Sequence, residues 1–187
     1  MTSIQQYALN IFRKAPAGID VLAYLGGGCL RSFYDGTPVK DYDLFFASYH
    51  DWLFACQWFR ADTSFVETTL EGEQTYPSFQ REGEPPFNLI GFRFHKGAEA
   101  LCNSFDFTCV ALVAEIVEPD VVTVTQHPLA PYHASHKLLS FQNLQHIDRV
   151  ERRKARYMGY GYKETPEFTA SLPKCAAIPR EASGGDY

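Results

Sequence analysis

Leu25-Gly26-Gly27-Gly28-Cys29-Leu30-Arg31, followed by Asp41-Tyr42-Asp43-Leu44-Phe45-Phe46, is the stretch whose reading decides the fold. The apolar run Val21-Leu22-Ala23-Tyr24-Leu25 has strand character and leaves through three glycines into a short helical pattern. A strand that turns on glycine into a helix N-terminus presents bare backbone N–H groups, a setting that suits a phosphate. Asp41 and Asp43, one residue apart in a second strand-like run, leave the same face of that strand. Two carboxylates beside a phosphate cradle describe a divalent-metal site for phosphoryl or nucleotidyl transfer. Taken singly, glycines after a strand are a turn and an Asp-x-Asp pair is a solvated edge; their order and spacing join them.

The string Gly27-Gly28-Cys29-Leu30-Arg31, then Gly36-Thr37-Pro38 and Lys40-Asp41-Tyr42-Asp43-Leu44, resembles the first signature of the DNA polymerase β-like nucleotidyltransferase superfamily. It is most similar to the branch of bacterial-type (class II) CCA-adding enzymes and poly(A) polymerases, in which Gly-Gly-x-Val-Arg-Asp leads into Asp-x-Asp. Ser32 stands where that branch carries its Asp. Further on, Asp106-Phe107-Thr108-Cys109-Val110-Ala111-Leu112 resembles the branch's Arg-Arg-Asp-Phe-Thr-Ile-Asn-Ala-Leu, with Ser104 and Phe105 replacing the arginines and Cys109-Val110 replacing Ile-Asn. The two resemblances come in the family's order. They imply an α+β chain with the polymerase β-like nucleotidyltransferase fold: a small mixed β-sheet flanked by helices, with a C-terminal helix.

Composition sets the outer limits. The 187 residues are 45% hydrophobic and 15% aromatic, which is globular rather than disordered and enough for one domain with a real core. A formal net charge of −5 argues against a general electrostatic grip on nucleic acid, so any RNA contact is local. Cys29, Cys56, Cys102, Cys109 and Cys175 are odd in number and contain no Cys-x-x-Cys, against both a disulfide framework and a zinc knuckle. No secretory leader is evident and no apolar run nears the roughly 18 residues of a membrane span. The expectation is a soluble cytoplasmic protein with no membrane partner.

Along the chain, apolar spacing predicts a helix over residues 3–14, a strand over 20–25, a helix over 27–34 and a strand over 41–47. Ser48-Tyr49-His50-Asp51 matches a capping box opening a helix over about 49–60. Residues 64–70 and 73–79 read as a hairpin, 80–86 as an exposed loop, 87–94 as a strand and 95–102 as a connector or helical turn. Asp106 lies among Phe105, Phe107 and Val110, where burying an unpaired charge is costly. A nearby metal would supply its partner; the alternative is an N-cap to a helix over 109–115.

Residues 121–125 read as a further strand, and His127-Pro128 with Pro131 as a loop. Helical texture then covers about 134–162, and from Glu164 prolines and glycines suggest an arm or disordered tail. The expected organisation is therefore a minimal domain over 1–163, with its core over about 19–125 and its basic helix over 134–162, then a tail over 164–187. Arg149, Arg152, Arg153 and Arg156 stand at i, i+3, i+4 and i+7, one face of that helix, and arginine forks suit bidentate phosphate contact. Asp148 with Arg156-Tyr157 resembles, one residue out of spacing, elements of the nucleotide-selecting helix of the CCA-adding branch. The pair His133-x-x-His136 lacks a completing ligand, and surface or capping roles are expected for the histidines.

The mechanistic expectation is nucleotidyl transfer: Asp41 and Asp43 hold Mg²⁺ or Mn²⁺, and the resemblance implies Asp106 as a third carboxylate or nucleotide neighbour. The backbone of Gly27 and Gly28 holds the triphosphate, helped by Arg31 or Lys40 and by the arginine face. The substrate is an NTP, ATP first among them, and the acceptor hydroxyl belongs to an RNA or tRNA end, a protein or a small molecule. Ser32, Ser104 and Phe105 favour a second reading, a non-catalytic nucleotide- or RNA-binding module, and a third is a structural domain whose basic helix docks on an acidic partner protein.

Overall fold

A computed structural model describes residues 3–68 and 76–179. The chain opens with α1 (Ile4–Phe12), capped by the Ser3 hydroxyl, and a 3-10 turn at Ile19–Val21 delays the first strand, β1, to Ala23–Gly26. Then come α2 (Gly28–Asp35), β2 (Tyr42–Phe46) and α3 (Tyr49–Ala61). The capping box is present: Asp51 N–H donates to Ser48 Oγ at 3.2 Å, and that hydroxyl donates to Asp51 Oδ2 at 2.7 Å. The strands β3 (Val66–Glu67), β4 (Ser78–Gln80) and β5 (Phe87–Phe94) follow, β3 and β4 pairing as the expected hairpin. The rest of that hairpin, residues 69–75, lies outside the described residues.

The second half runs through α4 (Ala98–Cys102), β6 (Leu112–Glu118), β7 (Val121–Gln126), α5 (Ala130–Ser135), β8 (Leu138–Leu139), α6 (Ile147–Gly159), β9 (Lys163–Glu164) and α7 (Pro166–Cys175). Seven strands form one sheet in the order β3-β4-β5-β2-β1-β6-β7, in which only β2 and β5 pair in parallel. This is the α+β arrangement that the sequence implied.

Strand alternation divides the core into two layers. Leu44 and Phe46 of β2 join Leu25, Leu89 and the inner faces of α1, α2 and α3. Phe45, from the opposite face, joins Ile90 and Val113 with α4, α6 and α7. Asp43 shares the pleat of Phe45, so it faces the C-terminal helices. On the other face Trp52 of α3 lies flat against Gly91 and donates its indole N–H to Leu89 O at 3.0 Å. A methyl group at residue 91 would overlap that indole, so Gly91→Ala is expected to cost about 1–3 kcal/mol, measured by urea unfolding. An unchanged midpoint would show that Trp52 has room to turn.

Four stretches differ from the sequence reading. Pro131 starts α5 rather than marking a loop, because a first-turn proline gives up only an N–H that has no intrahelical partner. The predicted helix over 134–162 is broken: Lys137 takes a left-handed conformation (φ 53°), β8 follows, and the basic helix is confined to α6. No helix covers 109–115; a 3-10 turn at Thr108–Val110 feeds directly into β6. The expected tail is ordered through α7, whose N-cap Thr165 accepts from Phe168 N–H at 3.2 Å. Phe168 is fully buried and stacks on Phe141 at 4.3 Å, and β8 and β9 pair in parallel, so residues 163–175 belong to the core.

Candidate active site

The glycine bend and the aspartates meet because β1 and β2 are antiparallel neighbours, with Gly26 opposite Asp43. Gly27 holds φ 77° and ψ −130°, open only to glycine at low cost, and its N–H donates to Leu112 O on β6 at 3.1 Å. A β-carbon at Gly27 would stand 3.5 Å from the Phe105 ring and 4.0 Å from Asp43 Oδ2, so the bend passes directly over the carboxylate. One at Gly28 would meet no atom within 4 Å, so space opens there. Gly27 caps α2 with no side-chain bond, and the first-turn N–H groups of a helix have no intrahelical partners.

Asp41 immediately precedes β2 and Asp43 lies on it. Asp43 Oδ1 accepts from Asn88 Nδ2 at 2.9 Å. Burial pushes the Asp43 carboxyl up to about 7, with the charge of Asp41 adding to the rise; the Asn88 hydrogen bond and the charges of Arg153 and Arg156 oppose it. Burial raises Asp41 as well, against the charges of Arg156, Arg31 and Lys40. The pair is thus a half-buried anionic site under the influence of nearby cations. Among the described residues no third histidine, cysteine or carboxylate joins it in a group able to hold a metal.

Asp106 has partners of its own. Its carboxylate is buried, with Arg153 Nε 3.0 Å and Arg149 Nε 3.5 Å from Oδ2. The counter-charge that its burial requires is supplied by a pair of arginines from α6. The basic stripe is divided accordingly: Arg149 and Arg153 turn inward to Asp106, with Arg153 also 5.9 Å from the Phe107 ring, while Arg152 and Arg156 are exposed. Arg156 is the one whose charge acts on both aspartates of the pair.

Arg31 is likewise engaged. Its Nε lies 2.9 Å from Asp35 Oδ2, and one Nη donates to Thr37 Oγ1 at 2.9 Å. Its guanidinium sits 5.4, 5.1 and 6.0 Å from the rings of Tyr157, Tyr160 and Tyr162, and the Tyr162 hydroxyl donates to Asp35 Oδ2 at 2.8 Å. This aromatic cage ties the end of α6 to the helix that begins at the glycine bend. Lys40 Nζ lies 5.2 Å from the Tyr160 ring.

The histidines mostly cap or pack. His127 and His146 accept backbone N–H groups of Leu129 and Asp148, and buried His133 has Nδ1 2.6 Å from Thr108 Oγ1. All five cysteines are free and buried. Asn88 escaped the sequence reading, although an asparagine in the apolar strand Phe87-Asn88-Leu89-Ile90 was a visible signal. Asp35 and the three cage tyrosines carried none, since only the folded chain brings them to Arg31.

A mainly antiparallel sheet, a glycine bend over an aspartate pair and a closing basic helix define a nucleotidyltransferase-like fold, the fold of CCA-adding enzyme heads. A CCA-adding enzyme in its second apo form superposes with a TM-score of 0.64 at 13% identity, over 91% of this chain and 44% of its own. A CCA-adding enzyme complexed with ATP gives 0.61 at 12%, over 93% and 42%. The Thermotoga maritima CCA-adding enzyme complexed with tRNA gives 0.59 at 14%, over 91% and 42%. The chain thus spans less than half the length of these structures. No curated protein matches it in sequence. A family model described as Gabija anti-defense 2 family protein matches residues 3–127, and the chain belongs to that family. No helix among the described residues is long and apolar enough to cross a membrane.

Proposed function

We propose that this chain is a divalent-cation-dependent nucleotidyltransferase that moves an NMP from an NTP to an acceptor hydroxyl and releases pyrophosphate. The observation that carries the reading is the position of Asp41 and Asp43, both half-buried, with Asp43 under the glycine bend and the charge of Arg156 acting on each. Two carboxylates raised by burial, Asp43 further by the charge of Asp41, fit a cation as the missing counter-charge. Asp41 and Asp43 would hold Mg²⁺ or Mn²⁺, which supplies charge neutralisation at the reacting phosphates.

The chain's own groups do the rest. Gly28 presents its backbone N–H at the start of α2, where phosphates are favoured, while the N–H of Gly27 is taken by Leu112 O and that residue serves by shaping the bend. Arg156 and Lys40 set positive charge beside the pair, and exposed Arg152 extends it. Asp106 holds Arg149 and Arg153 in place, and the tyrosine cage keeps Arg31 as the brace of α2 instead of a phosphate ligand. Solved structures of similar fold hold ATP or CTP, which supports an NTP substrate, with ATP the first to test.

The family description, directed against a defence named Gabija, supports an acceptor belonging to that defence, in its protein or its nucleic acid. A second reading, a nucleotide-binding module without turnover, is favoured by the engagement of Asp106 with arginines, which leaves the pair without a third carboxylate. Incubating the chain with each α-labelled NTP, Mg²⁺ and either Gabija components or total RNA separates the readings. Label transferred to protein, RNA or a small product, with pyrophosphate released, is the expected result. Mg²⁺-NTP binding without transfer to any acceptor would favour the module, and no binding at all would refute both.

A further inference from the structure

Ser78, Asn88 and Asp43 stand side by side on three adjacent strands: Ser78 is opposite Asn88 in the antiparallel β4–β5 pair, and Asn88 is opposite Asp43 in the parallel β5–β2 pair. Their side chains are linked in series. Ser78 Oγ donates to Asn88 Oδ1 at 2.9 Å, and Asn88 Nδ2 donates to Asp43 Oδ1 at 2.9 Å. Ser78 and Asn88 are only 4% and 5% exposed, so water has little access to replace either bond. A side-chain amide has two faces of opposite polarity, and a hydroxyl donating to Oδ1 commits the amide to turn its N–H toward Asp43. With Oδ1 so held, Oδ2 is the oxygen left facing the glycine bend, 4.0 Å from where a β-carbon of Gly27 would stand.

From this geometry we infer that Asn88 is a positioning residue of the site and Ser78 its support. Together they fix the Asp43 carboxylate so that Oδ2 is presented to the cation and phosphates under the glycine bend. The assignment rests on reading Asp41 and Asp43 as a cation site. An acid at residue 88 would offer no N–H to Asp43 and would place a like charge beside it, so an amide is the side chain that suits the role.

The test is Mn²⁺ binding, read from the electron-paramagnetic-resonance signal of free Mn²⁺, together with NMP transfer, in wild type, Asn88→Ala, Ser78→Ala and Ser78→Thr. Asn88→Ala should weaken Mn²⁺ binding about 10–100-fold, the range for loss of a partner that orients a ligand. Ser78→Ala should weaken it less, and Ser78→Thr, which keeps the hydroxyl, should restore it. Thermal melts of the serine variants should stay within about 2–4 °C of wild type, so that lost binding is not lost fold. Wild-type Mn²⁺ affinity in Asn88→Ala, or Ser78→Thr binding no better than Ser78→Ala, would overturn the assignment alone. A wild type that binds neither Mn²⁺ nor Mg²⁺-NTP would overturn the cation site and the assignment with it.

Discussion

Asn in place of Asp41 or Asp43 is expected to lower NMP transfer by about 10³-fold or more, the loss of several kcal/mol of charge stabilisation at the phosphates. The fold should survive the change and, without cation, gain from it. Asp43 is raised from 3.8 to about 7 by burial first and by Asp41 second, so its ionised form disfavours the folded state. For an acid raised on folding, the associated stability is fully present below its unfolded pKa and is lost as pH rises toward the folded value. Between about pH 4 and 7 the wild-type chain should therefore lose stability that Asp43→Asn keeps.

Thermal melts in EDTA at pH 4.5 and pH 8 check this. The variant should melt above wild type at pH 8, the gap should close at pH 4.5, and Mg²⁺ should raise only the wild type at pH 8. Cation affinity should itself increase as pH passes about 7, because Asp43 must ionise to bind. A variant that unfolds at pH 8 would give the pair a structural role and remove the main support for nucleotidyl transfer.

The opposite sign is expected at Asp106. Asp106→Asn withdraws the carboxylate from two inward-turned guanidinium groups, those of Arg149 and Arg153. Removing one partner of a buried ion cluster leaves uncompensated charge and costs about 3–5 kcal/mol. Urea unfolding would read this directly. Adding Arg153→Met to Asp106→Asn should recover part of the loss, with a coupling of about 0.5–3 kcal/mol. If Asp106→Asn unfolds at the wild-type urea midpoint, the cluster does not anchor α6, and the arginine face must be held by the tyrosine cage alone. The two sites thus separate by the expected sign: without cation, Asp43→Asn should stabilise the chain, whereas Asp106→Asn should destabilise it.

Local chemistry made several elements readable. Ser48 and Asp51 specify the start of α3 within four residues, because the capping bonds are made by neighbours in sequence. The glycine run, the helix after it and the aspartate strand were legible for the same reason: each depends on residue type and on a period of two or four. The second half was harder. Pro131 and Pro166 read as breakers but serve in first turns, a difference that depends on which side of the proline the helix lies. Helical texture over 134–162 hid the left-handed Lys137 and the β8–β9 pair, whose partner strand lies more than 20 residues on.

The sequence by itself determined the order strand, glycine bend, helix, aspartate strand, with Asp41 and Asp43 at the start of that second strand, because backbone geometry at Gly27 and strand alternation are local constraints. It also marked Asp106 as a charge in need of a partner and the arginines of α6 as one basic face. Only the tertiary structure decided the pairing: Asp106 with Arg149 and Arg153, Arg31 with Asp35 and three tyrosines, Asp43 with Asn88. A charge buried by folding takes whichever counter-group the packing brings within reach, and that choice is made across tens of residues, where residue type and spacing carry no record of it.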